Sequence, residues 1–146
     1  MTRFKETAAA VAAIAGSALS SLFGGWDSAV ATLLIFMGLD YLTGLAAAGI
    51  FHASPKSETG ALNSRAGWKG LCRKGMSLLI VLVGARLDLM LGTAFVRDGI
   101  VTAFIVNEVI SLMENAALMG VPYPQALKNA LDILTRKEEE QHGENQ

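Results

Sequence analysis

Four apolar stretches, each broken off by glycine, charge or proline, dominate the pattern of the chain. They run over residues 8–23, 28–51, 75–92 and 95–119. A helix needs about 20 apolar residues to cross the hydrocarbon of a bilayer, and these stretches approach or reach that length. The first is short and rich in alanine, and Gly24-Gly25 ends it. Trp26 and Asp27 stand at the entrance of the second. Between the second and third lies a polar, basic stretch, His52 to Lys74, expected to form a loop. Val-Pro-Tyr-Pro after Gly120 stops the fourth, and a further helix is expected over 125–137. Tyr123, Leu127, Ala130, Leu131 and Leu134 give that helix an apolar stripe, suited to the membrane surface or to the underside of the bundle. Residues 138–146 contain three successive glutamates and no apolar residue, the composition of a disordered tail. The pattern predicts a single all-α membrane domain over residues 1–146.

The positive charges orient these segments. Of 12 Lys and Arg residues, Arg3 and Lys5 precede the first stretch, five occupy the central loop, and Lys128, Arg136 and Lys137 follow the last. The connection at 24–27 has none, and that at 92–98 has only Arg97. Basic residues stay on the cytoplasmic side, so four spans with both termini inside satisfy every segment together. The alternative has three spans, with the alanine-rich segment outside or flat at the interface. Arg65, Lys69, Arg73 and Lys74 are expected at the membrane surface, and Trp26 and Trp68 as interfacial anchors.

The fourth stretch carries polar residues where lipid is expected. At about 100° per residue, Asn107, Glu108, Ser111, Glu114 and Asn115 share roughly a third of the helix circumference. An acidic side chain at the bilayer centre costs about 2.5–3.5 kcal/mol, and one Leu or Ile offsets only about 0.5. Such a helix needs a partner or water against its polar stripe. Asp40 in the second stretch and Asp88 in the third are the other acidic candidates for a polar face or pore wall. Arg86 beside Asp88 can snorkel to the boundary or pair with a carboxylate. Small residues suit close helix packing: Ala8, Ala12, Gly16, Ser20 and Gly24 recur every fourth position, and Gly44 and Ala48 follow Asp40 at the same spacing.

Composition agrees with a membrane protein and narrows the chemistry. Hydrophobic residues make up 52%, mean hydropathy is +0.42 and net charge is −1, so no basic field points to nucleic acid. Cys72 is the single cysteine, which excludes an internal disulfide and a cysteine-built metal site. Its basic neighbours favour the thiolate, but no partner supports a catalytic role. His52 and His142 are isolated and read as solvated. No phosphate loop, ligand cluster or nucleophile–base pair occurs, so no enzyme, metal or cofactor is expected. The first apolar run resembles a signal peptide, but further spans follow it and it is expected to remain uncleaved.

Three sets of residues resemble successive motifs of one phage holin family, which includes the toxin-secretion holins of clostridia. They are Asp40-Tyr-Leu-Thr-Gly44, Asn63-Ser64-Arg65-Ala-Gly67-Trp-Lys69-Gly70-Leu-Cys-Arg73-Lys74, and Leu87-Asp88. The strongest match is the run Asn107-Glu108-Val-Ile-Ser111-Leu-Met-Glu114-Asn115 ahead of Gly120-Val-Pro122-Tyr-Pro124. The resemblance covers about residues 36–134; the first span is weakly matched, and residues 52–62 show no family motif. It implies a protein of the bacterial cytoplasmic membrane that forms homo-oligomers and opens lesions in the bilayer. Through these an endolysin reaches the cell wall or large toxins leave, and an antiholin is the implied regulatory partner. Two other readings of the residues are a small four-helix transporter or ion channel built around a membrane carboxylate, and a passive membrane anchor. The first accounts for Glu108 but not for the basic loop, the second Glu-Asn pair or the last helix.

Overall fold

The structure, a computed structural model, describes residues 2–56 and 58–143, which contain five helices and no strand. These are α1 (Thr2–Leu22), α2 (Ser28–Gly49), α3 (Ser64–Leu91), α4 (Phe95–Leu118) and α5 (Gln125–Gly143). The all-helical expectation holds. Among the described residues, α2 is the one helix long and apolar enough to cross a membrane by length and composition.

Local chemistry sets the helix starts. Asp27 caps α2, its carboxylate accepting the Val30 N–H at 3.0 Å. Asn63 caps α3 by accepting from Arg65 N and Ala66 N at 3.0 and 3.2 Å. Side-chain oxygens at this position satisfy amide groups that have no partner inside the helix. The expected basic loop is therefore corrected: helix begins at Ser64, and Arg65, Lys69, Arg73 and Lys74 all lie on α3. Gly92 ends α3 in the left-handed conformation (φ 67°), which leaves only a short connection before α4. α5 continues to Gly143, beyond the expected boundary at 137, and residues 144–146 lie outside the described residues.

Helices α2, α3 and α4 form the packed unit, with α4 in contact with both of the others. Their inward positions recur at alternating steps of three and four. On α2 these are Val30, Leu33, Met37, Asp40, Gly44 and Ala47, and on α3 they are Gly67, Gly70, Lys74, Ser77, Val81, Gly84 and Asp88. Such spacing keeps one seam of each helix facing its partners. Val30, Leu33, Met37, Val81 and Val101 make the buried apolar core. α5 folds back against α4, whereas among the described helices α1 touches only the end of α3. Among the described residues, Ala12, Gly16 and Ser20 of α1 are not seated in a groove of another helix. Ala12 and Gly16 are exposed, nothing lies within 4 Å of a Cβ built at Gly16, and Ser20 is only half-buried. Gly44 and Ala48 do face α4 and the cavity beside it, with Ala48 buried.

The α3–α4 approach depends on Gly84. A Cβ there would lie 2.6 Å from Ile100 Cδ1 and 3.2 Å from the Arg97 Cα, whereas one at Gly70 would meet nothing. Gly84→Ala is expected to lower stability by about 1 kcal/mol, since overpacking of about 1–3 kcal/mol outweighs the gain in helix propensity. Gly70→Ala is expected to raise it by about 0.5–1 kcal/mol. Thermal unfolding of the two variants in one detergent, followed by circular dichroism, checks the opposite signs.

Candidate functional site: a buried polar seam

Each of the three packed helices contributes one ionisable side chain to the same buried layer. Lys74 Nζ lies 2.8 Å from Asp40 Oδ2 and also pairs with Glu108 Oε2. The three side chains are only 7–15% exposed. Asn115, two turns after Glu108, donates its amide to Asp40 Oδ1 at 3.0 Å, to the Asp40 carbonyl at 3.2 Å and to Thr43 Oγ1 at 2.9 Å. One ammonium thus stands between two carboxylates, and an amide braces one of them. In a low-dielectric setting this pairing is what permits the carboxylates to be buried at all.

The polar stripe of α4 is unevenly buried, although Ser111, Glu114 and Asn115 border one cavity. Glu108 is buried and paired, and Ser111 and Asn115 are half-buried along the seam, while Asn107 and Glu114 are exposed. Lys74 requires the largest correction. It does not sit at the surface with Arg65, Lys69 and Arg73, which are exposed, but points along the seam of α3. The reason is geometric: Lys74 follows Gly67 and Gly70 at steps of three and four, on the face opposite the exposed basic residues. That spacing, together with the Asn63-Ser64 cap, was the signal in the sequence.

Asp88, 7% exposed, caps α4 from the preceding helix and borders a pocket shared with Asp27, Arg86 and Asp98. Its carboxylate accepts from Thr93 Oγ1 (2.5 Å), Val96 N (3.1 Å) and Arg97 N (2.8 Å). Arg97 then closes this end of the bundle. Its Nη1 lies 2.8 Å from Asp27 and 3.1 Å from Asp98, and Nη2 donates to the Gly25 carbonyl at 3.2 Å. Its Nε is buried with no partner among the described residues. Arg86 remains exposed on α3.

A cavity of about 500 Å³ opens beside the triad. It lies between α2, α3, α4 and the loop after α2, reaching from Asp40, Lys74 and Asn115 to Ser54, Lys56 and Asn63. The seam is thus closed on one side by the apolar core and accessible on the other.

Two measurements follow from these pairs. Lys74→Met leaves two buried carboxylates without a cation and is expected to cost about 3–5 kcal/mol, whereas adding Asp40→Asn and Glu108→Gln restores much of the loss. Chemical unfolding of the single and triple variants in detergent checks that rescue. At the other end, the hydrogen bond from Arg97 holds the Asp27 carboxyl below its ordinary value of 3.8. The stabilisation from this pair is complete above pH 3.8 and fades as the pH falls toward the lowered value. Because Asp27 is about half exposed, the effect is modest. Asp27→Asn is expected to flatten the melting temperature below pH 4, which a pH series of melts reads directly.

Comparison with known proteins places this architecture. An uncharacterized 14.9 kDa protein of Clostridium perfringens is 40% identical over 124 residues, covering 84% of this chain and 88% of its own. An uncharacterized protein of Listeria innocua is 37% identical over 131 residues, covering 87% and 88% of the two chains. A protein named probable holin from Bacillus phage phi105 is 29% identical over 103 residues, 70% of each chain. No solved structure matches. Residues 17–136 match the profile of the bacteriophage holin family, a span that takes in the triad, the cavity and the end-capping cluster. The chain belongs to the bacteriophage holin family.

Proposed function

We propose that the protein is a holin that inserts helices α1–α4 across the bacterial cytoplasmic membrane with both termini inside, assembles with copies of itself, and opens lesions. Membership in a holin family supports membrane localisation and a non-enzymatic role. The observation that carries the mechanism is the Asp40–Lys74–Glu108 triad, which closes the polar seam within one copy. α2 is apolar enough to cross alone; of the charges on α3 and α4, the buried Lys74 and Glu108 pair with each other, and Lys74 also pairs with Asp40 of α2. A closed bundle is compatible with lipid because its carboxylates have an internal cation. If the same groups exchange partners between copies, the seam faces water and the bundle becomes the wall of a lesion. Such an exchange needs two packings separated by only a few kcal/mol. The functional partner is then an endolysin that passes through the lesion, with an antiholin as regulator and secretion of large proteins as the alternative output.

Co-expression with an endolysin in a bacterial host tests this reading. Membrane potential and culture density are expected to stay level and then collapse abruptly. Glu108→Gln and Lys74→Met are expected to shift the time of collapse, because they alter how firmly the seam is closed. Gly16→Leu is expected to alter oligomer size through the free face of α1. A drug-resistance or uptake phenotype without collapse would indicate a transporter instead. Unchanged timing and oligomer size in all three variants would remove the seam and α1 from the mechanism.

A further inference from the structure

The cavity beside the triad is kept open by glycines that helix packing does not require. At Gly84, glycine is needed because α4 lies against the backbone. The cavity wall differs. A Cβ at Gly70 would meet nothing within 4 Å, one at Gly67 only the Tyr41 hydroxyl at 3.6 Å, and one at Gly44 only the Asn115 amide at 3.7 Å. A Cβ would be accommodated at each of these positions and would take up part of the space. Leu45, Leu62 and Leu118 make the rest of the wall largely apolar. Two charges of opposite sign also line it, Lys56 and Glu114, and neither has an ion-pair partner among the described residues. The inner end is the Asp40–Lys74 pair of the triad, so two carboxylates and two ammonium groups line the cavity in all.

Together these features specify an amphiphile with an apolar body, one anionic group and one cationic group. We propose that the cavity holds a phospholipid with a zwitterionic aminoethyl phosphate headgroup. Lys56 meets the phosphate, Glu114 meets the ammonium, and the glycerol and upper acyl carbons lie against Leu45, Leu62 and Leu118. With Asp40 and Glu114 set against Lys56 and Lys74, the lining carries no net charge and matches a headgroup that carries none. A primary ammonium also donates hydrogen bonds to Glu114 and Ser111, which a quaternary ammonium lacks. The proposal rests on the membrane-embedded reading given above.

The test uses the full chain in phosphatidylglycerol vesicles that contain a trace of phosphatidylethanolamine carrying a photoactivatable group on its upper acyl chain. Cross-linked peptides are mapped by mass spectrometry. Labelling is expected in the segments around residues 41–48 and 62–70. Unlabelled phosphatidylethanolamine competes, phosphatidylcholine about tenfold less well, and free phosphoethanolamine not at all. Gly70→Leu, which adds bulk to the cavity wall where a Cβ meets nothing within 4 Å, and the pair Lys56→Gln with Glu114→Gln each lower the labelling about tenfold at unchanged helicity. Equal competition by both lipids, or labelling unaffected by Gly70→Leu, would overturn the site, and competition by free phosphoethanolamine would replace the lipid with a soluble ligand. Flotation of the vesicles separates the two levels. A chain that fails to float overturns the membrane reading and the site with it, whereas one that floats but is labelled without selectivity overturns the site alone.

Discussion

A lysine side chain reaching between two carboxylates is the constraint on which the bundle depends. Asp40, Lys74 and Glu108 come from three different helices, and each would be expensive in an apolar interior without the others. The triad therefore fixes more than stability. Because hydrogen-bonded charge pairs demand particular partners, it sets the register of α2, α3 and α4 where valines and leucines alone would tolerate a slide by a turn. Polar groups placed in an apolar seam are best attested in that registry role. Asn115 extends it by tying the last turns of α4 to Asp40 and Thr43 on α2.

A second polar cluster does the same at the other end of the bundle. Asp27 to Asp40 spans 13 residues of α2, an axial rise of about 20 Å. Between these two levels lies the apolar core around Leu33, Val81 and Val101. The Arg97 cluster ties the α1–α2 turn to the start of α4, and Asp88 links the end of α3 to the same place. The bundle is thus clamped by charge at two levels and filled by aliphatic side chains between them. The buried Nε of Arg97 shows that the outer clamp is not fully satisfied, a deficit worth about 1–3 kcal/mol for an unpaired buried donor.

Much of this fold was legible in the sequence because long apolar runs and their breaks are local signals. The starts of α2 and α4, the stop at Val-Pro-Tyr-Pro and the unusual polarity of α4 were all read from neighbouring residues. What escaped was information held at one face of a helix while the other face contradicted it. Arg65, Lys69 and Arg73 made residues 52–74 look like a loop, yet their spacing of four places them on one exposed side of α3. Lys74, adjacent to Arg73 in sequence, was grouped with them and belongs to the opposite side. The capping role of Asp88 was not legible for a different reason: its partners include backbone amides eight and nine residues away, across a turn that Gly92 opens in the left-handed conformation. Gly84 gave no signal, since only the position of Ile100 and Arg97 shows why a side chain is excluded.

The contrast between α1 and the other helices bears on how a closed bundle can become part of an assembly. In the proposed reading, opening the seam within one copy means separating buried charges, a cost of about 3–5 kcal/mol for a broken pair. No such cost attaches to α1, which exposes Val11, Ile14 and Leu19 and, among the described helices, meets only the end of α3. On the proposed reading, association through α1 proceeds while the triad stays closed, and adjacent copies then offer each carboxylate a second lysine. The ion pairs can then be exchanged between neighbours rather than broken outright, which lowers the cost per copy as the assembly grows. A barrier that falls with local concentration predicts silence followed by sudden opening, and it assigns the delay to the triad and the concentration dependence to α1.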